Sequence, residues 1–202
     1  MPVITTIKPQ RNKKRVNIYL DSKYGFGIDL ETFVKLGLKV EQELGEDEVE
    51  KIVKKAEFQK SLDKLLRYAT LRPRSGREVN DWFRKRKVHE SLHKKLTSKL
   101  KTLDLLEDEK FARWWVDQRL SFRPRGKRAL ESELIGKGID RTIIKTVLSE
   151  TDVDEVGIAT ELIKKKKYKW DKLPLIEARE KKSAFLARKG FGWDVVKKAI
   201  DN

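Results

Sequence analysis

Cysteine is absent from the 202-residue chain. Its absence excludes disulfides, thiolate metal sites and a cysteine nucleophile, and it fits a reducing compartment. Histidine occurs only at His89 and His93. Four-residue spacing on a helix suits a metal, but Glu90 between them lacks the flanks of a zinc hydrolase motif, so an exposed or locally satisfied pair is the simpler reading. No apolar run approaches the roughly 18–20 residues of a membrane span, and no signal-peptide pattern opens the chain. No glycine-rich loop leads into Lys-Ser or Lys-Thr, which argues against P-loop nucleotide hydrolysis. Glu107, Asp108 and Glu109 are acidic neighbours, but they directly precede an apolar helical run and read as first-turn residues rather than metal ligands. Nothing assembles a nucleophile, a base and an oxyanion site. The absences leave a soluble, basic, intracellular, cytoplasmic binding protein that needs no cofactor.

What is abundant is positive charge. Lys plus Arg number 48 against 32 Asp plus Glu, a formal net charge of +16. The excess is local: residues 51–100 hold 16 basic and 5 acidic side chains, net +11, whereas residues 1–50 are net −1. Such a field attracts polyanions, although scattered lysines also simply keep a protein soluble. Arg72, Arg74, Arg77, Arg84 and Arg86 are the more pointed signal, because guanidinium suits phosphate and carboxylate. Arg125 and Lys127 are further candidates. The run Lys164-Lys165-Lys166-Lys167 serves either phosphate contact or the carboxyl end of a helix, with Lys164, Lys165 and Lys167 as the candidate contacts.

The period of the apolar residues changes along the chain. Val16, Ile18 and Leu20 alternate with polar neighbours, as in a half-buried strand. Val3 to Ile7 and Tyr24 to Ile28 are its expected partners in a small antiparallel meander, with a polar turn over Pro9 to Lys14. Asp29 suits the cap of a short helix through Leu36, and Gly37 its stop. From Gly45 onward the spacing is three and four. Pro73 ends the first long run, and Ser75-Gly76-Arg77-Glu78 matches a capping box in which the Glu78 carboxylate reaches back. Phe111 and Trp115 share a helix face and read as core; Trp82 and Trp114 are also expected to be buried.

An internal repeat organises the helical part. Phe83, Leu134 and Leu186 occupy one position, 51 and then 52 residues apart. Three residues later come Arg86, Lys137 and Lys189; then Lys87, Gly138 and Gly190; then Val88, Ile139 and Phe191. Leu92, Ile143 and Val195, then Leu96, Val147 and Ala199, complete the apolar frame. Each copy reads as helix, tight turn, helix, preceded by a further helix over Glu57 to Leu71, Asp108 to Leu120 or Asp154 to Lys167. Gly138 and Gly190 suit a left-handed turn, and Asp140 and Asp194 the cap of the last helix. The expected fold is mainly α: three tandem three-helix, helix-turn-helix-like repeats at 46–103, 104–150 and 151–202, behind a β-rich appendage at 1–45. Stacked repeats of this size would make an elongated, curved monomer.

The ordered fragments resemble the RecX family, bacterial modulators of the RecA recombinase. They run Arg72-Pro73-Arg74-Ser75 with Glu78-Val79, then Leu106-Glu107-Asp108, Phe111-Ala112, Trp115-Val116, Gly126-Lys127, Glu133-Leu134 and Lys137-Gly138-Ile139. Phe185-Leu186 and Arg188-Lys189-Gly190-Phe191 follow in the third copy. The likeness spans about residues 57 to 202, and the strand region resembles an extension carried by some members. Where the later copies have glycine, the first has Lys87. The resemblance implies no enzymatic activity and binding in the groove of a RecA–single-stranded-DNA filament. It also implies inhibition of ATP hydrolysis, strand exchange and co-protease function, and so modulation of recombination, DNA repair and the SOS response. The alternative is a free-standing DNA-binding protein, but Arg141, Thr142, Lys145 and Thr146 are thin material for a base-reading helix.

Overall fold

A computed structural model describes every residue except Asn12 and Asn202; Asn12, inside the turn expected over 9–14, lies outside the described residues. Strands β1 (Ile4–Pro9), β2 (Arg15–Leu20) and β3 (Lys23–Asp29) form an antiparallel sheet in the order β1-β2-β3. Ten α-helices follow among the described residues: α1 (Leu30–Leu36), α2 (Glu46–Thr70), α3 (Gly76–Arg86), α4 (Glu90–Thr102), α5 (Asp108–Phe122), α6 (Lys127–Gly136), α7 (Arg141–Glu150), α8 (Glu155–Lys164), α9 (Leu175–Arg188) and α10 (Trp193–Asp201). The chain divides into two compact units. One comprises Met1–Arg72 and Lys85–Thr102; the other, Pro73–Arg84 and Leu103–Asn202.

In the first unit, period-two alternation puts Val16 and Ile18 on the inner face of the sheet, where they join Ile4, Phe26 and Ile28. The Asp29 carboxylate accepts from the Thr32 amide at 2.8 Å and starts α1, and Gly37, with φ +60°, ends it. Leu38 and Leu44 close the apolar cluster with Ile52 and Ala56 of α2. Burying one such side chain contributes about 1.5–3 kcal/mol, so a three-stranded sheet gains its stability from this helix. The expected helix over Glu57 to Leu71 is in fact the second half of α2, which begins at Glu46. Its acidic first turn, Glu46, Asp47 and Glu48, complements the helix dipole, and the apolar residues from Val49 onward keep the helical period through the whole length.

The second unit contains two apolar clusters. Phe111, Ala112 and Val116 of α5 pack with Leu130, Leu134, Ile139, Ile144 and Val147. Ala159, Leu186, Phe191, Val196 and Ala199 form the second. Between middle and last helices both copies make the same tight stop. Gly138 donates to Ile135 O and Ile139 to Leu134 O; Gly190 donates to Ala187 O and Phe191 to Leu186 O. The glycines carry φ of +79° and +84°, the left-handed conformation this double bond pattern requires. Lys87, at the equivalent place, also adopts positive φ, +52°, so the turn survives without glycine.

Three expectations need correction. Asp140 caps α7 by accepting from Thr142 N at 2.8 Å, but Asp194 does not cap α10. It lies within the first turn, because Gly192 supplies the carbonyl that accepts from Val196 N. Helix α8 ends at Lys164, and a 3-10 turn over Lys167–Lys169 follows, so the lysine run straddles a helix end. Finally, Ser75 Oγ does accept from Glu78 N at 3.2 Å, but the Glu78 carboxylate takes Lys137 Nζ at 2.7 Å.

Candidate anion-binding interface

The middle helix of one repeat starts against the turn of the next, and the two junctions in the second unit correspond. At the first, Ser75 Oγ donates to Lys137 O at 2.8 Å and Gly76 N donates to Asp108 Oδ1 at 3.0 Å. At the second, Gly126 N donates to Lys189 O at 3.0 Å and Lys127 N donates to Glu155 Oε1 at 2.8 Å. A helix begins with amides that have no partner inside it. Here those amides are satisfied by the turn carbonyl and the first acidic residue of the following repeat. Asp108 thus serves both its own first turn and the start of α3.

These junctions determine where the basic residues go. Arg77 and Arg84 are exposed and, seven apart on α3, lie on one face. Arg84 pairs with Asp81, and the Arg77 stem lies against the Gly138 turn. Arg74 is buried, with Nη1 3.9 Å from the Glu78 carboxylate; a guanidinium so placed helps neutralise a buried acid. Arg72 is half-buried and Arg86 exposed, both in the first unit. Trp82 is buried, while Trp114 and Trp115 are half-buried.

Trp115 organises the surface of the second repeat. Its ring stacks on Phe111 at 5.7 Å and lies under the Arg119 guanidinium at 4.3 Å and Lys137 Nζ at 4.7 Å. Its Nε1 donates to Glu133 at 2.9 Å, and Arg119 Nε donates to the same carboxylate oxygen at 2.5 Å. Each cation here has an acid.

The third repeat differs. Lys166 and Lys189 lie 4.8 and 5.7 Å from the centre of the Phe185 ring, and the Lys189 carbonyl accepts from Gly126 N, next to Arg125. Burial pushes the Lys189 ammonium below the ordinary lysine range, and the charges of Arg125 and Lys166 push it further. Neither lysine has an ion-pair partner among the described residues, and no carboxylate offsets the shift. Arg125 is half-buried, 3.8 Å from Glu133, and Lys127 is half-buried as well. Lys164, Lys165 and Lys167 are exposed, Lys164 with Glu161 at 3.5 Å. Lys166 belongs to the lysine run read from sequence as a phosphate candidate, whereas Lys189 was not singled out as an anion contact. The repeat register held the signal, since Lys189 occupies the position of Arg86 and Lys137.

Other chemistry is sparse. His89 Nδ1 lies 2.9 Å from Ser91 Oγ and His93 Nε2 2.9 Å from Val88 O, so both rings engage local partners. Among the described residues no group of three or more histidine, aspartate or glutamate side chains is arranged to hold a metal, and no helix is long and apolar enough to cross a membrane.

A small sheet followed by tandem three-helix repeats, interlocked at their turns and studded with cations, defines a basic helical-repeat protein. Models of the regulatory protein RecX N-terminal domain, of the second RecX three-helix domain and of the third match residues 2–45, 108–148 and 153–200. Regulatory protein RecX of Bacillus licheniformis is 36% identical over 99% of this chain and 77% of its own length. That of Bacillus subtilis is 33% identical over 100% and 77%. The chain belongs to the RecX family. A crystal structure of a regulatory protein RecX, 24% identical, superposes over 100% of both chains with a TM-score of 0.75 and shares the fold. RecX from Lactobacillus salivarius, 25% identical, covers 72% of this chain and 95% of its own with a TM-score of 0.63.

Proposed function

We propose that this protein binds RecA assembled on single-stranded DNA and restrains the filament without catalysing a reaction itself. Kinship with regulatory RecX proteins over nearly the whole chain carries the reading. The charge distribution supports it. Arg77 and Arg84 project from one face of α3, Arg125 and Lys127 are half-buried at the start of α6, and Lys164, Lys165 and Lys167 are exposed in the repeat that follows. These groups suit phosphates and acidic protein side chains. Arg72 and Arg86, in the first unit, are further proposed contacts, and buried Arg74 serves the fold through Glu78. The repeats at 46–103, 104–150 and 151–202 are the binding segments, and 1–45 is an accessory segment. Several modest contacts carried on one chain raise the effective concentration of each, so a small protein holds a large filament. The outcome is slower ATP hydrolysis, strand exchange and co-protease action, and so weaker recombination and SOS induction, in the cytoplasm where the chromosome lies.

The test is a titration of DNA-dependent RecA ATPase, run with pre-formed and with nascent filaments. Inhibition is expected at concentrations too low to coat the DNA, and the Arg77→Gln/Arg84→Gln double variant should need more protein and show a flatter salt dependence. Inhibition that appears only when bare DNA is saturated would favour a free-standing DNA-binding protein instead.

A further inference from the structure

We propose that Lys189, Lys166 and Arg125 form a phosphate-binding site where the turn of the third repeat meets the second, an external oxyanion taking the place of the carboxylate that Glu78 of the first repeat supplies at the preceding junction.

The comparison of equivalent positions carries this. Lys137 and Lys189 precede their turn glycines, and each ammonium lies near an aromatic ring, Trp115 at 4.7 Å and Phe185 at 5.7 Å. Each turn rests on the start of the preceding middle helix through the junctions described above. Lys137 is neutralised from that helix by Glu78 at 2.7 Å. The residue in register with Glu78, 51 positions on, is Ala129. Ala129 does sit beneath the turn: a Cβ built on Gly190 would come within 2.4 Å of its amide nitrogen. The geometry is kept and the acid is gone.

Instead of an acid, this junction gathers cations. Lys166 approaches the same Phe185 ring at 4.8 Å, and Arg125 immediately precedes the amide that bonds Lys189 O. Arg125 Nε is buried and has no hydrogen-bond acceptor among the described residues. Its neighbouring carboxylate, Glu133, accepts from Trp115 and Arg119 through Oε2, and its Oε1 stays 3.8 Å from Arg125, too far for a hydrogen bond. Lys189 and Lys166 thus have no carboxylate partner, and the guanidinium of Arg125 adds a third positive charge held only by a long ion pair. Partly desolvated like charges repel more strongly than they would in water, and an anion with several acceptor oxygens relieves all three together. Phosphate fits better than a single carboxylate because it offers oxygens in three directions. The proton affinity of Lys189 is lowered first by burial and then by the charges of Arg125 and Lys166.

The site deepens the filament reading by naming one phosphate contact, and it rests on that reading only for the source of the phosphate. Direct binding therefore tests it without RecA. Lysine side-chain resonances of the full-length protein are followed while inorganic phosphate, and separately an oligothymidylate, is added. Lys189 and Lys166 should shift with both when the phosphate belongs to a nucleic-acid backbone, and with inorganic phosphate alone when it is a free ion. Lys189→Gln should weaken oligothymidylate binding and lower its salt slope by about one, beyond the effect of Lys145→Gln, which removes an exposed charge elsewhere. Ala129→Glu should rebuild the internal pair, raise the Lys189 pKa and abolish the phosphate shifts. The proposal fails if neither lysine responds to either anion, or if Lys189→Gln weakens binding of the anion that shifts the lysines no more than Lys145→Gln does. Circular dichroism establishes that each variant is folded; Lys189→Gln carries the decision should Ala129→Glu not fold.

Discussion

Exchanging residues at the three equivalent turn positions should change stability with opposite signs. Gly138 and Gly190 have φ of +79° and +84°, and Lys87 has +52°. A side chain in the left-handed region costs about 1–2 kcal/mol, while glycine gives back roughly 0.5–1 kcal/mol through its flexible unfolded state. Lys87→Gly should therefore stabilise its unit by about 0.5–1 kcal/mol. Gly138→Ala incurs the conformational cost and also a Cβ 2.9 Å from Arg77 Cβ, a milder overlap than at Gly190 that a backbone shift of a few tenths of an ångström at the start of α3 relieves. Its expected loss is about 1–2 kcal/mol. Gly190→Ala meets the Ala129 backbone nitrogen at 2.4 Å, and a helix backbone does not yield so easily. Overpacking of about 1–3 kcal/mol adds to the dihedral term, for a loss of roughly 3 kcal/mol. Urea unfolding followed by circular dichroism measures all three, with shifts in midpoint at constant slope. Equal losses for Gly138→Ala and Gly190→Ala, or destabilisation by Lys87→Gly, would refute the assignment of these turns.

Asp108→Ala and Glu155→Ala should each destabilise by about 0.5–2 kcal/mol through uncapped amides, whereas Glu107→Ala should stay within about 0.5 kcal/mol; chemical denaturation ranks them. Glu133→Ala strands Trp115 Nε1 and Arg119 and should cost about 1–3 kcal/mol, read as a lower melting temperature that Arg119→Ala does not deepen additively. Lys189 has a folded pKa below its ordinary 10.5, so the folded chain binds fewer protons than the unfolded one between the two values. Stability should accordingly rise with pH across that alkaline window, and the Lys189→Gln variant should lose the rise in urea melts taken from neutrality to 10.5.

Local signals in the sequence were read directly. The alternation at Val16 and Ile18, the Asp29 cap, the Gly37 stop and the repeat glycines all depend on residues within a few positions of each other, and the structure has them. Asp194 misled because the third repeat carries glycine where the second has Asp140, so the nearest acid looked like the cap. The Glu78 carboxylate was expected to reach back to its own helix start, yet its Lys137 partner is 59 residues away. Asp108 was read as serving only its own helix, and its bond to Gly76 spans 32 residues. The basic residues divided by the same rule. The exposure of Arg77 and Arg84 follows from helical period, while the burial of Arg74 and the convergence on Lys189 arise from packing between repeats.

The caps borrowed from the following repeat also set an order of events on the ribosome. Gly76 waits for Asp108, and Lys127 for Glu155, 28 residues later. Until those residues emerge, α3 and α6 have frayed first turns, and each nascent helix firms only when its successor begins to fold. Synthesis from the amino terminus therefore leaves the newest complete helix provisional. A pause in translation just before either acid would hold the chain with an open helix end, the stage at which a chaperone or protease has most to grip.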